Sequence, residues 1–488
     1  MRHLDQARRL VSNFGWATVG EVAGRVIGLV IAVYLARVLG ASLYGAVGVI
    51  LAVVGIFEIM VRAGTGLVGI REVALAPASI PAIHARITGL RLTLAALCIL
   101  LLWVAAPAFA AWLSVPEALV RLYSLMLLAS ALTTAWALRG LERMDILAWG
   151  SIFRRLLMLV AILLLVTNRD AHLLRIPVIE VFTVLLAALW FRLHVSRQYG
   201  PLPVRFSPRD WRRMSPETLP MTLSALLALV YVHGDVLLLG WLSDTGNAGR
   251  FLASQKIVLT FMVLGVLLNR AALPATSRFM AEFPAQALAL HAKLYRYLML
   301  CVVPAIVATG FFAARLLEHT FGEAFTAAAP ALVLLLCTLP VVNLAESLKH
   351  LLLTRGMAHR LMLGTALAAG THVLLAIALI PGWHMTGAAI ACLAGETAGL
   401  GLLLMITART LGGVPLNRLS LAPFMAGAAM AVVLAAAHDW AALPRVAAGM
   451  AAYVAAAGLL RALSAAEWRS AARVVVSALQ RRTPPAPK

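Results

Sequence analysis

The stretch EVAGRVIGLVIAVYLARVLGASLYGAVGVILAVVGIFEIMVR, Glu21 to Arg62, decides the fold. Two runs of Val, Ile, Leu, Ala and Gly are separated by a short turn near Gly40. A helix rises about 1.5 Å per residue, so about 20 apolar residues cross the hydrocarbon core of a bilayer. The two runs therefore read as a transmembrane hairpin, with spans near 13–38 and 43–65. Each span carries an acid and a base four residues apart, Glu21 with Arg25 and Glu58 with Arg62. That spacing puts each pair on one helix face. The hairpin also allows exchange, Glu21 with Arg62 and Arg25 with Glu58. Ionisable residues inside a span are costly, so each marks a partner or a cavity.

The whole chain extends this reading. Of 488 residues, 62% are hydrophobic and 12% charged, and the mean hydropathy is +0.92. Soluble domains carry about 25% charged residues, so the composition is that of an all-α integral membrane protein. Fourteen apolar runs qualify as spans. After the first two they lie near 87–110, 118–138, 146–167, 173–194, 217–241, 247–271, 293–314, 326–349, 361–380, 386–408, 420–438 and 443–461. They are continuous runs, which excludes the alternating ten-residue strands of a membrane β-barrel.

The net charge of +21, from 41 Lys+Arg against 20 Asp+Glu, is concentrated between the apolar runs. It reads as topology and contact with anionic lipid headgroups, not as nucleic-acid binding. The positive-inside rule places both termini of this multi-pass membrane protein in the cytoplasm. The first span, preceded by Arg2, Arg8 and Arg9, is longer than a signal-peptide core and reads as uncleaved. Cys98, Cys301, Cys337 and Cys392 lie singly in apolar runs, with no metal-ligand or disulfide spacing. No cofactor motif, P-loop or hydrolase motif occurs, so the chain does not read as an enzyme.

The segment SRQYGPLPVRFSPRDWRRMSP, residues 196–216, is polar, basic and rich in Pro, and reads as a cytoplasmic linker. It divides an N-lobe of six spans (1–195) from a C-lobe of six (217–410) and two further spans (411–462). Residues 463–488 interleave Leu463, Trp468, Val475 and Leu479 with Arg469, Arg473, Arg481 and Arg482, the pattern of an amphipathic cytoplasmic tail. The halves also repeat. YLARVLGASLYGAVGVI from Tyr34 parallels LLGWLSDTGNAGRFLASQKI from Leu238, and a constant offset puts Gly45 on Gly249 and Phe57 on Phe261. Repeats that keep the same in/out sense are a transporter arrangement.

Three stretches carry a resemblance. YLARVLGASLYGAVGVILAVVGIFEIMVRAGTGLVGIREVA, VYVHGDVLLLGWLSDTGNAGRFLASQKI and LIPGWHMTGAAIACLAGETAG occur in the order found in polysaccharide-export flippases of the Wzx type. These belong to the multidrug/oligosaccharidyl-lipid/polysaccharide superfamily. The resemblance covers about residues 10–410. It implies a MATE-like fold, with two six-helix lobes around a central cavity plus two C-terminal helices. It also implies a cargo, undecaprenyl-pyrophosphate-linked oligosaccharide, flipped from the inner to the outer leaflet by alternating access. Membrane lipids, a glycan polymerase and other surface-polysaccharide assembly proteins would be partners. His372 stands near where the family often has Asn. A lipid II flippase, a cation- or proton-coupled multidrug exporter, a non-transporting scaffold of a glycan-synthesis complex and a membrane glycosyltransferase are the rivals.

The candidate site residues follow from the buried charges. Arg25, Arg62 and Lys256 are the candidates for a pyrophosphate, because a guanidinium fork binds phosphate oxygens bidentately. Glu21 and Glu58 are their charge partners. Asp235 lies at a depth similar to Lys256, which suggests either an ion pair or a coupling carboxylate. Glu396 and His372 fall near mid-membrane, and Glu346 with Lys349 forms a pair on one helix face. Glu180 has no evident basic partner, and Arg154 and Arg155 read as snorkelling to the inner headgroups.

Overall fold

The computed structural model describes residues 2–167 and 172–462, and every regular element among them is a helix. The expected tail at 463–488 lies outside the described residues. The opening hairpin is a single helical element, α1 (Arg2–Arg62), broken at Gly40. That residue has φ 71° and ψ 174°, a conformation in which a side chain is strained and glycine is not. The bend falls where the sequence puts its turn.

A tight turn through Ala63 and Gly64, both left-handed, leads into α2 (Thr65–Leu75) and then α3 (Ile80–Leu113). The fourth expected span is not one helix. It is three short pieces, α4 (Glu117–Ser124), α5 (Met126–Leu132) and α6 (Ala135–Gly140). Then come α7 (Met144–Leu165), α8 (Arg175–Tyr199), α9 (Pro208–Leu242) and α10 (Thr245–Glu282). The remainder is α11 (Pro284–Phe311), α12 (Ala313–Phe321), α13 (Ala329–Thr354), α14 (Ala358–Leu411), α15 (Ala422–Ala436) and α16 (Ala442–Leu459). In α14 the non-helical residue His384 sits in the expected PGWHMTG turn.

Eleven helical segments among the described residues are long and apolar enough to cross a membrane, against the fourteen read from sequence. Two of the eleven, Gly15–Arg62 and His359–Leu411, each hold two of the expected spans joined across a kink. The expected seventh span lies in α9, which is not among the eleven. The lipid-facing surface is apolar. Leu97, Leu100, Leu101 and Val104 of α3 are each more than half exposed. Against water each would forgo about 1.5–3 kcal/mol of burial, whereas in lipid tails such a stripe is well solvated.

The chain forms two compact units, each drawn from separate stretches. The first comprises Met1–Val263, Ala314–Leu335 and Ala369–Ala394, and the second Leu264–Ala313, Leu336–Ala368 and Gly395–Lys488. In the first unit the linker is pinned along α3. The Arg205 amide donates to the Ala85 carbonyl (2.9 Å), and the Pro203 carbonyl lies 2.9 Å from His84 Nδ1. A side chain at Gly89 would collide with the Arg205 carbonyl, so glycine is what lets the linker lie so close. In the second unit α14 folds tightly onto itself and its neighbours. Gly364 takes Leu403, Gly399 takes Ala368, and Ser347 donates to Asn269 (3.3 Å). Small residues at helix contacts drive such packing in lipid, where the hydrophobic effect between helices is absent.

Candidate functional site

The first unit contains a cavity of about 580 Å3, inside the usual range for ligand pockets. Its walls come from α1, α4, α7, α8 and α10. Six ionisable groups with opposite charges reach it: Arg25, Arg154, Arg155 and Lys256 against Glu21 and Glu180. With all six charged, the wall carries a net of two positive charges.

Each group arrives for a local reason. The helical four-residue spacing brings Arg25 Nε to Glu21 Oε1 at 2.8 Å, and Arg25 Nη1 donates to the Leu259 carbonyl of α10 at 2.8 Å. Arg155 enters from α7 because α1 presents glycines at the same spacing. A Cβ on Gly24 would lie 3.0 Å from Arg155 Nε, and one on Gly28 would lie 2.8 Å from its Nη1. Gly20, one turn earlier, seats Ala148 of α7. The guanidinium therefore lies in a groove of absent side chains. Arg154 is its chain neighbour, Glu180 comes from α8, and Lys256 comes from α10. Tyr123, fully buried, also lines the wall.

The pairing inside this wall is unequal. Arg25 is neutralised by Glu21. Arg154, Arg155 and Lys256 all act electrostatically on Glu180, and among the described residues their side chains make no hydrogen bond or ion pair. Desolvated cations in excess are costly, and an anion entering the cavity would relieve them.

The other candidates lie elsewhere. Glu58 and Arg62 pair within their own helix at 2.5 Å, so the exchange across the hairpin does not occur. Ser130 of α5 joins them, donating to Glu58 (2.9 Å) and accepting from Arg62 Nε (3.2 Å). Neither charge lines the cavity. Asp235 does not pair with Lys256. Its carboxylate meets His372 Nε2 at 2.7 Å, with both side chains almost wholly buried. His372 therefore partners α9, and Glu396 sits in the second unit, buried in α14. Glu346 and Lys349 form the expected pair at 2.8 Å, also in the second unit.

A family model described as polysaccharide biosynthesis protein matches residues 10–280, more than half of the chain. The chain belongs to the polysaccharide biosynthesis protein family. The matched region contains all six cavity charges of this family member. No curated protein matches it by sequence. Among solved structures it is similar to one titled lipid II flippase MurJ, inward closed conformation, at 11% identity. That likeness covers 91% of this chain and 98% of the other, with a TM-score of 0.73. It is also similar to an inward-facing multidrug resistance MATE family transporter of the MOP superfamily. There the identity is 13%, the coverage 80% and 94%, and the TM-score 0.63. At these identities the likeness shows the fold, which is that of MATE and MurJ proteins.

Three of the cavity charges in this polysaccharide biosynthesis protein escape a reading of single residues. Arg154 and Arg155 look like interfacial residues because they stand near the start of an apolar run. Glu180 looks unpartnered because its neighbours come from α7 and α10. The signal that would have found Arg155 is the glycine stripe at 20, 24 and 28, whose spacing matches one helix face.

Proposed function

We propose that this multi-pass membrane protein is a flippase for a polyprenyl-pyrophosphate-linked oligosaccharide, moved from the inner to the outer leaflet of the cytoplasmic membrane for surface-polysaccharide synthesis. The observation that carries the reading is the cavity in which Arg154, Arg155 and Lys256 face the single carboxylate of Glu180, an excess of two positive charges. A pyrophosphate supplies the missing negative charge, and Arg154 and Arg155 offer forked donors for its oxygens. Arg25 joins them if the anion displaces Glu21. The lipid tail stays in the bilayer while the head crosses by alternating access, and no covalent step is required. Both termini then face the cytoplasm, and a glycan polymerase and other assembly proteins take the flipped product.

Lipid II is the second reading, favoured by the fold likeness to MurJ and served by the same pyrophosphate chemistry. A cation exporter is disfavoured, because its cavity would be expected to carry excess carboxylates. A scaffold would not need an excess of buried cations.

The test is the sidedness of lipid-linked glycan in the host after depletion of the protein. A membrane-impermeant headgroup probe is applied to intact spheroplasts. Loss of outward labelling, restored by wild type and not by Arg155→Ala/Lys256→Ala, is the expected result. Undiminished labelling in a strain lacking other flippases overturns it.

A further inference from the structure

Beyond the cavity, the first unit holds a second group of cations. It sits at the end of α1 and the start of α2. Arg62 is ten residues beyond Ala52, the last cavity-lining residue of α1, which is about 15 Å along the helix. The group is therefore separate from the cavity wall, and it goes beyond the function proposed above.

Arg91 of α3 is its core. The residue is 3% exposed, and its Nε donates to Thr65 Oγ1 at 2.9 Å. Thr65 Oγ1 in turn donates to the Arg62 carbonyl at 2.6 Å. Among the described residues no hydrogen bond engages Arg91 Nη1 or Nη2. A buried guanidinium with two idle terminal nitrogens is costly unless something accepts from them. Nη2 lies toward the first turn of α2, since a Cβ on Gly66 would meet only that atom, at 3.6 Å. No side chain caps that turn; its Leu67 amide donates to the Gly64 carbonyl (3.3 Å), while the other amides at a helix start lack intrahelical acceptors and carry the positive end of the dipole.

Arg62 and Arg139 complete the charge. Arg62 is half exposed and held by Glu58 and Ser130. Arg139, exposed on α6, acts electrostatically on Arg62. Arg91 feels both Arg62 and Glu58. Arg62 and Arg91 thus share one carboxylate, Glu58, and Arg139 adds a third positive charge beside Arg62, with Arg62 and Arg139 on the exposed side. The break between α5 and α6 keeps Ser130 and Arg139 on separate short helices, which is how one span supplies two residues to the site.

We propose that Arg62, Arg91, Arg139 and the uncapped first turn of α2 form a second anion site, which takes a phosphate group of a lipid headgroup. Two sources have that chemistry, a phospholipid such as phosphatidylglycerol and the pyrophosphate of a prenyl-linked cargo before it reaches the cavity. Arg91 supplies the desolvated donors, and the two outer arginines guide the headgroup in.

The experiment uses the full chain in detergent, with its cavity cations neutralised as Arg154→Gln/Arg155→Gln/Lys256→Gln. Binding of short-chain phosphatidylglycerol and of farnesyl pyrophosphate is measured by native mass spectrometry. The expected result is that at least one probe still binds, and that adding Arg91→Gln or Arg139→Gln weakens it about tenfold or more, the loss typical of a charge-assisted contact. Arg139 is exposed, so its variant keeps the fold if Arg91→Gln does not. Loss confined to phosphatidylglycerol assigns the site to membrane lipid, and loss confined to the pyrophosphate assigns it to cargo. Absence of binding once the cavity is neutralised, or binding indifferent to Arg62→Gln and Arg139→Gln, overturns the site.

Discussion

Gly45 and Gly249 pack backbone to backbone, the space of each missing side chain being occupied by main-chain atoms of the other's segment. A Cβ on Gly45 would lie 1.7 Å from the Thr245 carbonyl oxygen and 2.6 Å from the Gly249 nitrogen. A Cβ on Gly249 would lie 2.0 Å from the Ala41 carbonyl oxygen and 2.9 Å from the Gly45 nitrogen. Ala41 and Thr245 are equivalent positions in the two repeats, as are Gly45 and Gly249. The contact is therefore reciprocal, as it must be where two related segments meet about a local two-fold.

That reciprocity yields a prediction. The obstructing atoms are backbone, so Gly45→Ala can be accommodated only by parting α1 from α10. Ser42 Oγ and Thr245 Oγ1, 3.0 Å apart, report on the contact. Ser42→Cys/Thr245→Cys should form a disulfide, since the two side-chain tips already meet and a C–S bond, longer than C–O, brings the sulfurs closer than the 3.0 Å between the oxygens. Adding Gly45→Ala should slow its formation severalfold, and Gly249→Ala should do so to the same degree. Oxidation kinetics followed by gel mobility will decide. Equal rates in all three backgrounds would show that the contact does not hold this conformation together.

Gly28 makes a prediction in which stability and activity part company. The atom that its Cβ would meet is Arg155 Nη1, the tip of a flexible chain, which can swing away. Alanine is also the better helix former by about 0.5–1 kcal/mol. Gly28→Ala should therefore leave the thermal unfolding midpoint unchanged or raise it slightly, while headgroup flipping falls because Arg155 leaves its groove. A loss of both together would indicate that the glycine serves packing alone.

The hairpin, the kink at Gly40 and the pairs Glu21–Arg25, Glu58–Arg62 and Glu346–Lys349 were legible because each depends on spacing along one chain segment. The Asp235–His372 contact was not, because 137 residues separate the partners and depth estimates cannot tell which helices adjoin. Arg154 and Arg155 read as interfacial for the same reason, since the cavity wall they join is completed by α1, α8 and α10. The fourth span read as continuous because its apolar composition hides the breaks near Leu125 and Thr133–Thr134. Two spans at each kink merged into one element because the chain departs from helical geometry at a single residue.

The buried pair of Asp235 and His372 carries the next prediction. His372 donates or shares a proton at 2.7 Å with a carboxylate that is 2% exposed. Removing only the histidine leaves a buried carboxylate without this partner, a change that costs about 3–5 kcal/mol where it breaks a buried pair. His372→Ala should therefore lower the unfolding midpoint markedly. Asp235→Ala/His372→Ala should recover part of the loss, because no uncompensated charge remains. A double-mutant cycle in detergent measures the coupling. Additive single effects would mean that the contact contributes nothing of its own.

Gly40 isolates backbone strain from packing. A Cβ at this position meets nothing within 4 Å, so alanine is not excluded by neighbours. Its φ of 71° with ψ of 174° is nonetheless a region essentially restricted to glycine. Gly40→Ala should cost about 1–3 kcal/mol through the backbone alone. Gly15 is the matched control, since a Cβ there also meets nothing and it lies in helical conformation, so Gly15→Ala should be neutral or stabilising by up to about 1 kcal/mol. Thermal unfolding of the two variants side by side tests the point. If both shift alike, the Gly40 bend is held by something other than glycine's freedom, and the antisymmetric outcome assigns the turn to that one residue.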